Sequence, residues 1–166
     1  SEATLLWNTP GTSLLVHTQS DVDRSGTSYY GATGLCVMTT KMLTGKPGSE
    51  VTERITQSKE GPVYDVKWNP KGDRFIVAAG NMPSRSTMYN EKAEACYEFG
   101  EAHRNTILFA PHSRFVCIAG FGNLAGEMDF YDTYKLKKLG VAIAHCSVAY
   151  GWSPDSRYFM TATLAP

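Results

Sequence analysis

The densest run of oxygen donors in the chain is DVDRSGTSYYG, residues 21 to 31, where Asp21, Asp23 and Ser25 alternate ahead of Gly26. Donors on alternate positions followed by a glycine open the calcium loop of an EF-hand, which closes on a bidentate glutamate at its twelfth position. That position holds Ala32, so the run is read instead as an exposed recognition loop. Other fragments of chemistry break at one residue each. GFGNLAG, residues 120 to 126, has the spacing GxGxxxG and lies between two strands, so no helix N-terminus is at hand for a pyrophosphate. TGKPGS lacks the upstream glycine of a P-loop and has Pro47 in place of the magnesium-binding hydroxyl. GWSPD ends in Asp155 where a nucleophile elbow needs glycine. His17, His103, His112 and His145 never fall within four residues of one another, and the four cysteines form no CxxC pair. The expectation is a protein without catalytic residues, metal or cofactor.

Contact chemistry remains. Arg85 stands in the loop NMPSRS, Arg104 and Asn105 precede an apolar strand, and Asn123 sits in the glycine-rich hairpin. With Asp21, Asp23 and Arg24 of the long loop they make up the candidate binding residues, all expected on a loop surface. Lys135, Lys137 and Lys138 crowd one strand, where lysines ordinarily shield an exposed sheet edge. Lys plus Arg and Asp plus Glu both number 16, so no basic excess advertises a nucleic-acid binder. Nor is any apolar run long enough to span a bilayer. Cys36, Cys96, Cys117 and Cys146 read as buried free thiols, consistent with a reducing, cytoplasmic setting.

What positions these residues is a repeat. WNTPGTSLLVHT, WNPKGDRFIVAAG, FAPHSRFVCIAG and WSPDSRYFMTAT each read as strand, tight turn, strand, anchored at Trp7, Trp68, Phe109 and Trp152. The last two intervals, 41 and 43 residues, match the period of a four-stranded propeller blade. The first is longer, and residues 20 to 30 are the obvious insertion. Leu5, Val66, Ile107 and Tyr150 lie two positions before the anchors, on one face of an innermost strand. Third strands are read at LCVMTT, STMYN and EMDFYD, and fourth strands at VTERITQ, ACYEFG and KLGVAIA. Tyr89-Asn90 and Tyr131-Asp132 stand where WD repeats end their third strand in Trp-Asp, while the usual Gly-His is missing. The fold class expected is all-β: a partial propeller of degenerate WD-type blades at 1–58, 62–101 and 104–145, with two strands of a fourth at 147–166. Trp68 and Trp152 are assigned to the repeat cores.

GPVYDVKWNP (61–70), Arg104-Asn105, AGFGNLAGEMDFYD (119–132), SDVDRSGTSYYG (20–31) and the closing TATLAP together resemble the propeller of the eukaryotic translation initiation factor 2A family, in the same order along the whole chain. The resemblance implies work with the small ribosomal subunit and initiator methionyl-tRNA, without GTPase activity, together with other protein partners. It also implies a larger propeller and a C-terminal extension, so this chain reads as a run of blades from a longer protein. Such a run would leave apolar blade faces uncovered, and the chain is expected to self-associate. The propeller of the b subunit of initiation factor 3 shares the degenerate repeats but not the DVD insertion. A prolyl-oligopeptidase-like propeller would accompany a GxSxG nucleophile with downstream Asp and His, and the chain carries none of these. A generic WD-type interaction scaffold is the remaining reading.

Overall fold

The computed structural model describes residues 1–21, 31–39 and 52–164, and every helix-or-strand element among them is a strand. The first sheet comprises β1 (Glu2–Trp7), β2 (Ser13–Ser20), β3 (Ala32–Thr39) and β4 (Glu53–Arg54). The second comprises β5 (Val63–Trp68), β6 (Arg74–Ala79), β7 (Ser84–Asn90) and β8 (Ala95–Ala102). The third holds β9 (Thr106–Phe109), β10 (Phe115–Ala119), β11 (Glu127–Asp132) and β12 (Lys137–Ile143), and β13 (Ala149–Trp152) pairs with β14 (Phe159–Ala162). In each sheet the strands are antiparallel and neighbours in chain order, the blade arrangement of a propeller.

The second strands are apolar throughout because both of their faces are covered. On β6, Phe75 and Val77 face the first sheet, in a cluster with Leu15, Leu35, Val37 and Ile55, while Ile76 and Ala78 face the third, against Ile107, Val116 and Ile118. The third sheet in turn sets Cys117, Ala119 and Met128 against Trp152 and Phe159. Cys117 is fully buried, which pushes its thiol up to about 12, an inert state. The expectation of four buried thiols fails for two: Cys96 on an outermost strand and Cys146 in a linker are exposed, and Cys36 is half-buried.

The fourth strand of the first sheet is shorter than its sequence suggests. Among the described residues only Glu53 and Arg54 pair in register with β3, after which Ile55 donates its N–H to Leu35 at 2.9 Å and turns its side chain into the cluster shared with the second sheet.

Two devices recur from blade to blade. The indole of Trp68 donates to the carbonyl of Leu6 at 2.9 Å, and that of Trp152 to Leu108 at 2.8 Å, each time one residue before the preceding anchor. Both rings are half-buried and pack edge-on against the second strand of their own blade, Trp68 on Phe75 and Trp152 on Phe159. The turns after the anchors are likewise stitched together. Lys71 N–H donates to the Ser113 hydroxyl at 2.7 Å, His112 N–H to that of Ser156 at 3.0 Å, and the Asn8 amide to the Gly72 carbonyl at 2.8 Å. Gly72, Ser113 and Ser156 hold the same left-handed turn position, with φ of 81°, 67° and 63°. The two serines tolerate it because their hydroxyls are used across the blade boundary.

Asn90 and Asp132, in the Trp-Asp position, cap the next turn through their side chains: Asn90 accepts from Lys92 and Glu94 N–H, and Asp132 from Tyr134 and Lys135 N–H. Asp132 also accepts twice from Arg114, which holds its carboxyl below the usual range.

Candidate functional site

Antiparallel meanders that all start from the same end put two kinds of connection together there: the links between blades (55–62, 103–105 and 144–148) and those between second and third strands (21–31, 80–83 and 120–126). Every candidate binding residue falls on or beside one of these segments. Hydrogen bonds join these segments: Asn81 N–H donates to Glu60, Ala144 N–H to Gly126, and Phe121 N–H to the Asn105 side chain. Gly120 and Gly126 are required by this packing, since a Cβ at either would stand 2.2 Å from a backbone oxygen, of His103 and Ala144 respectively. Gly120 and Gly126 therefore serve loop packing, while a Cβ at Gly122 would meet nothing within 4 Å.

The seven residues divide sharply. Asp23 and Arg24 lie outside the described residues. Asp21 is exposed, 3.2 Å from the Ser1 ammonium. Asn123 is exposed at the tip of the hairpin. Arg85 is half-exposed and donates to Glu101 at 2.7 Å; Lys59 reaches the same carboxylate at 3.0 Å, and the hydrogen bonds from Lys59 and Arg85 hold Glu101 below the usual carboxylate range.

Asn105 is engaged in holding the hairpin. Its amide donates to the Phe121 carbonyl at 3.0 Å and its oxygen accepts from the Phe121 N–H at 3.0 Å. That bridge presents Phe121, whose ring stacks on Tyr150 with centroids 4.1 Å apart. Arg104, expected on the loop surface, is 7% exposed. Its Nε donates to Asp129 at 2.9 Å and its Nη1 to Glu127 at 3.0 Å and to the His103 carbonyl at 2.9 Å. Burial works against this charge, but the two carboxylates outweigh it and raise the guanidinium further. Lys138, read from sequence as edge cover, completes the network by pairing with Asp129 at 2.9 Å, which raises its ammonium.

The Arg104, Glu127, Asp129, Lys138 network is not among the groupings that sequence spacing suggests. The signal was present in EMDFYD, whose alternation puts Glu127 and Asp129 on the face of Tyr131. No grouping of three or more His, Cys, Asp or Glu suited to a metal exists among the described residues.

The family model described as "Eukaryotic translation initiation factor eIF2A" matches residues 1–166. The chain is 45% identical over 166 residues to eukaryotic translation initiation factor 2A of Dictyostelium discoideum, covering 100% of this chain and 26% of that protein. The Drosophila melanogaster protein of the same name is 40% identical over 162 residues, covering 98% and 24%. A solved structure titled "Crystal structure of the eukaryotic initiation factor" superposes with a TM-score of 0.80 at 31% identity, over 99% of this chain and 37% of that one. The chain thus spans about a quarter of the length of these curated relatives.

Proposed function

The chain belongs to the eukaryotic translation initiation factor eIF2A family, and from that premise we propose that it is a non-catalytic scaffold whose linker-bearing end meets the small ribosomal subunit and initiator tRNA in the cytoplasm. One observation carries the choice of end. The links between blades and the described connections between second and third strands meet there through hydrogen bonds, Asn81 N–H to Glu60 and Ala144 N–H to Gly126, whereas at the opposite end the turns after the anchors are occupied in stitching blade to blade. Connections gathered beside the links between blades are where a repeat fold gains a binding surface. Asp21 and Asn123, exposed on that surface, and the half-exposed Arg85 are the residues proposed to make contact, together with Asp23 and Arg24. Arg104 and Asn105 act one step back by fixing the link and the hairpin.

Co-sedimentation with purified small ribosomal subunits tests this. Replacing residues 21–31 by a two-residue turn, combined with Asn123→Ala, should remove the chain from the subunit pellet while leaving its melting temperature within a few degrees. An unchanged pelleted fraction would place the contact elsewhere.

A further inference from the structure

The face that the third blade turns toward the second carries an opening, and the corresponding face of the second blade does not. The two blades correspond position by position: Val77 to Ile118, Tyr89 to Tyr131, Thr87 to Asp129 and Arg85 to Glu127. Over the second blade runs the eight-residue link 55–62, whose Gln57, Ser58 and Lys59 cover the face and leave about 10 Å³ unfilled. Lys59 fastens that cover by donating to the Pro83 carbonyl and to Glu101. Before the third blade the link is only three residues, 103–105, and a cleft of about 500 Å³ remains, walled by Arg104, Glu127, Asp129, Lys138, Val141 and Ile143.

The walls differ as well. In the second blade Thr87 and Arg85 lie opposite Glu98 and Glu101 on β8, and both acids are engaged, at 2.9 Å and 2.7 Å. In the third blade Asp129 and Glu127 lie opposite Val141 and Ile143, which are 70% and 56% exposed. The cleft continues the interface between the two blades, where Tyr131 packs edge-on against Phe99 at 4.8 Å. Arg104 forms part of the wall and is nine-tenths buried; Nε and Nη1 are used, and Nη2 makes no hydrogen bond among the described residues.

We propose that this cleft is a docking site for an extended, uncharged apolar segment of a partner protein, laid across the third blade as residues 57–59 are laid across the second. Alternate residues of an extended chain face one side, about 7 Å apart, which is the spacing of Val141 and Ile143 along β12. Two apolar side chains at i and i+2 therefore seat on these two residues, and a backbone carbonyl of the segment accepts from Arg104 Nη2. The charges of the wall cancel, Arg104 and Lys138 against Glu127 and Asp129, which disfavours both an acidic tail and a nucleic-acid backbone.

The probe is a series of fluorescein-labelled hexapeptides, acetylated or labelled at one end and amidated at the other, with two Val or Leu residues at i and i+2 and Ser or Thr elsewhere. Fluorescence anisotropy with the chain should show saturable binding, weaker by about tenfold or more when the apolar pair is moved to i and i+1. The double substitution Val141→Thr with Ile143→Thr keeps β-branched side chains at these exposed positions and adds no charge opposite Asp129 and Glu127, so it keeps the fold, and it should abolish binding. In the unsubstituted chain, methyl NMR should place the shift changes at Val141 and Ile143. The proposal is overturned by any of four results: no saturable binding across the series, binding indifferent to the double substitution, methyl shifts centred on Leu5 or Val148, or a uridine 12-mer that competes with the peptides for the site.

Discussion

At the scale of single residues, Arg104 shows how one guanidinium joins connection to strand: it leaves the link at 103–105, enters the face of β11 and pairs with two carboxylates there. Removing Arg104 leaves Asp129 paired with Lys138 and Glu127 half-exposed, so the cost is that of lost charged hydrogen bonds, about 1–3 kcal/mol, rather than that of a stranded buried charge. Arg104→Met should therefore lower stability by that amount in urea unfolding, whereas Asn123→Ala at the exposed hairpin tip should change it by no more than about 0.5 kcal/mol. Equal effects would mean that the network contributes no more than an exposed loop residue. The candidate residues were legible in the sequence as motifs, but not the division of labour among them. Arg104 and Asn105 stand in a stretch that reads as a loop, and their burial depends on Asp129, Glu127 and Phe121, residues 16 to 25 positions away along the chain. Local pattern specifies neither that register nor the length of side chain that can bridge it.

Among the elements, the innermost strands were the most legible because the anchor, the following turn and the apolar second strand repeat together. The outermost were the least, since an edge strand is covered on neither its outer side nor, as in β12, its faces, and its composition is correspondingly free. That is why VTERITQ reads as a full strand although among its described residues only Glu53 and Arg54 pair, the chain leaving early so that Ile55 can fill the blade boundary. The tryptophan anchors have a role beyond volume, the hydrogen bond to the preceding blade, and the two can be separated. Trp68→Phe keeps an aromatic ring against Phe75 but removes the donor to Leu6, and should cost about 0.5–1.5 kcal/mol plus the smaller ring's lost contact. Trp68→Ala also opens a cavity and should cost about 3–5 kcal/mol. Thermal and urea unfolding of both variants checks the order; a Phe variant as damaged as the Ala variant would assign the whole effect to the hydrogen bond.

For the whole molecule, the blade-to-blade devices continue past the last neighbour that uses them. Trp7 holds the position of Trp68 and Trp152, yet its ring is 51% exposed, and Leu5 beside it is 61% exposed where Val66 and Ile107 are buried. At the other extreme Tyr158, Met160 and Val148 are 66%, 71% and 58% exposed, and Gly151 occupies the place of Leu6 and Leu108, the carbonyls that receive the indoles. These two faces are complementary by the rule of the repeat: Trp7 of one copy can donate to Gly151 of another. Covering a large apolar side chain contributes roughly 1.5–3 kcal/mol, and five of them set against roughly 4–15 kcal/mol for the freedom lost on association favour a weak, concentration-dependent contact. Sedimentation velocity of the 18.2 kDa chain should accordingly show species that grow with concentration. Because the contact is head to tail, its two halves can be blocked separately. Trp7→Ser spoils one face and Met160→Lys the other, so each variant alone should stay monomeric. A mixture should form dimers and nothing larger, since each pair joins one intact face of either kind and leaves only spoiled faces outward. Dimers formed by either variant alone would show that the association uses another surface, and a chain that remains monomeric at every concentration would remove the head-to-tail contact altogether.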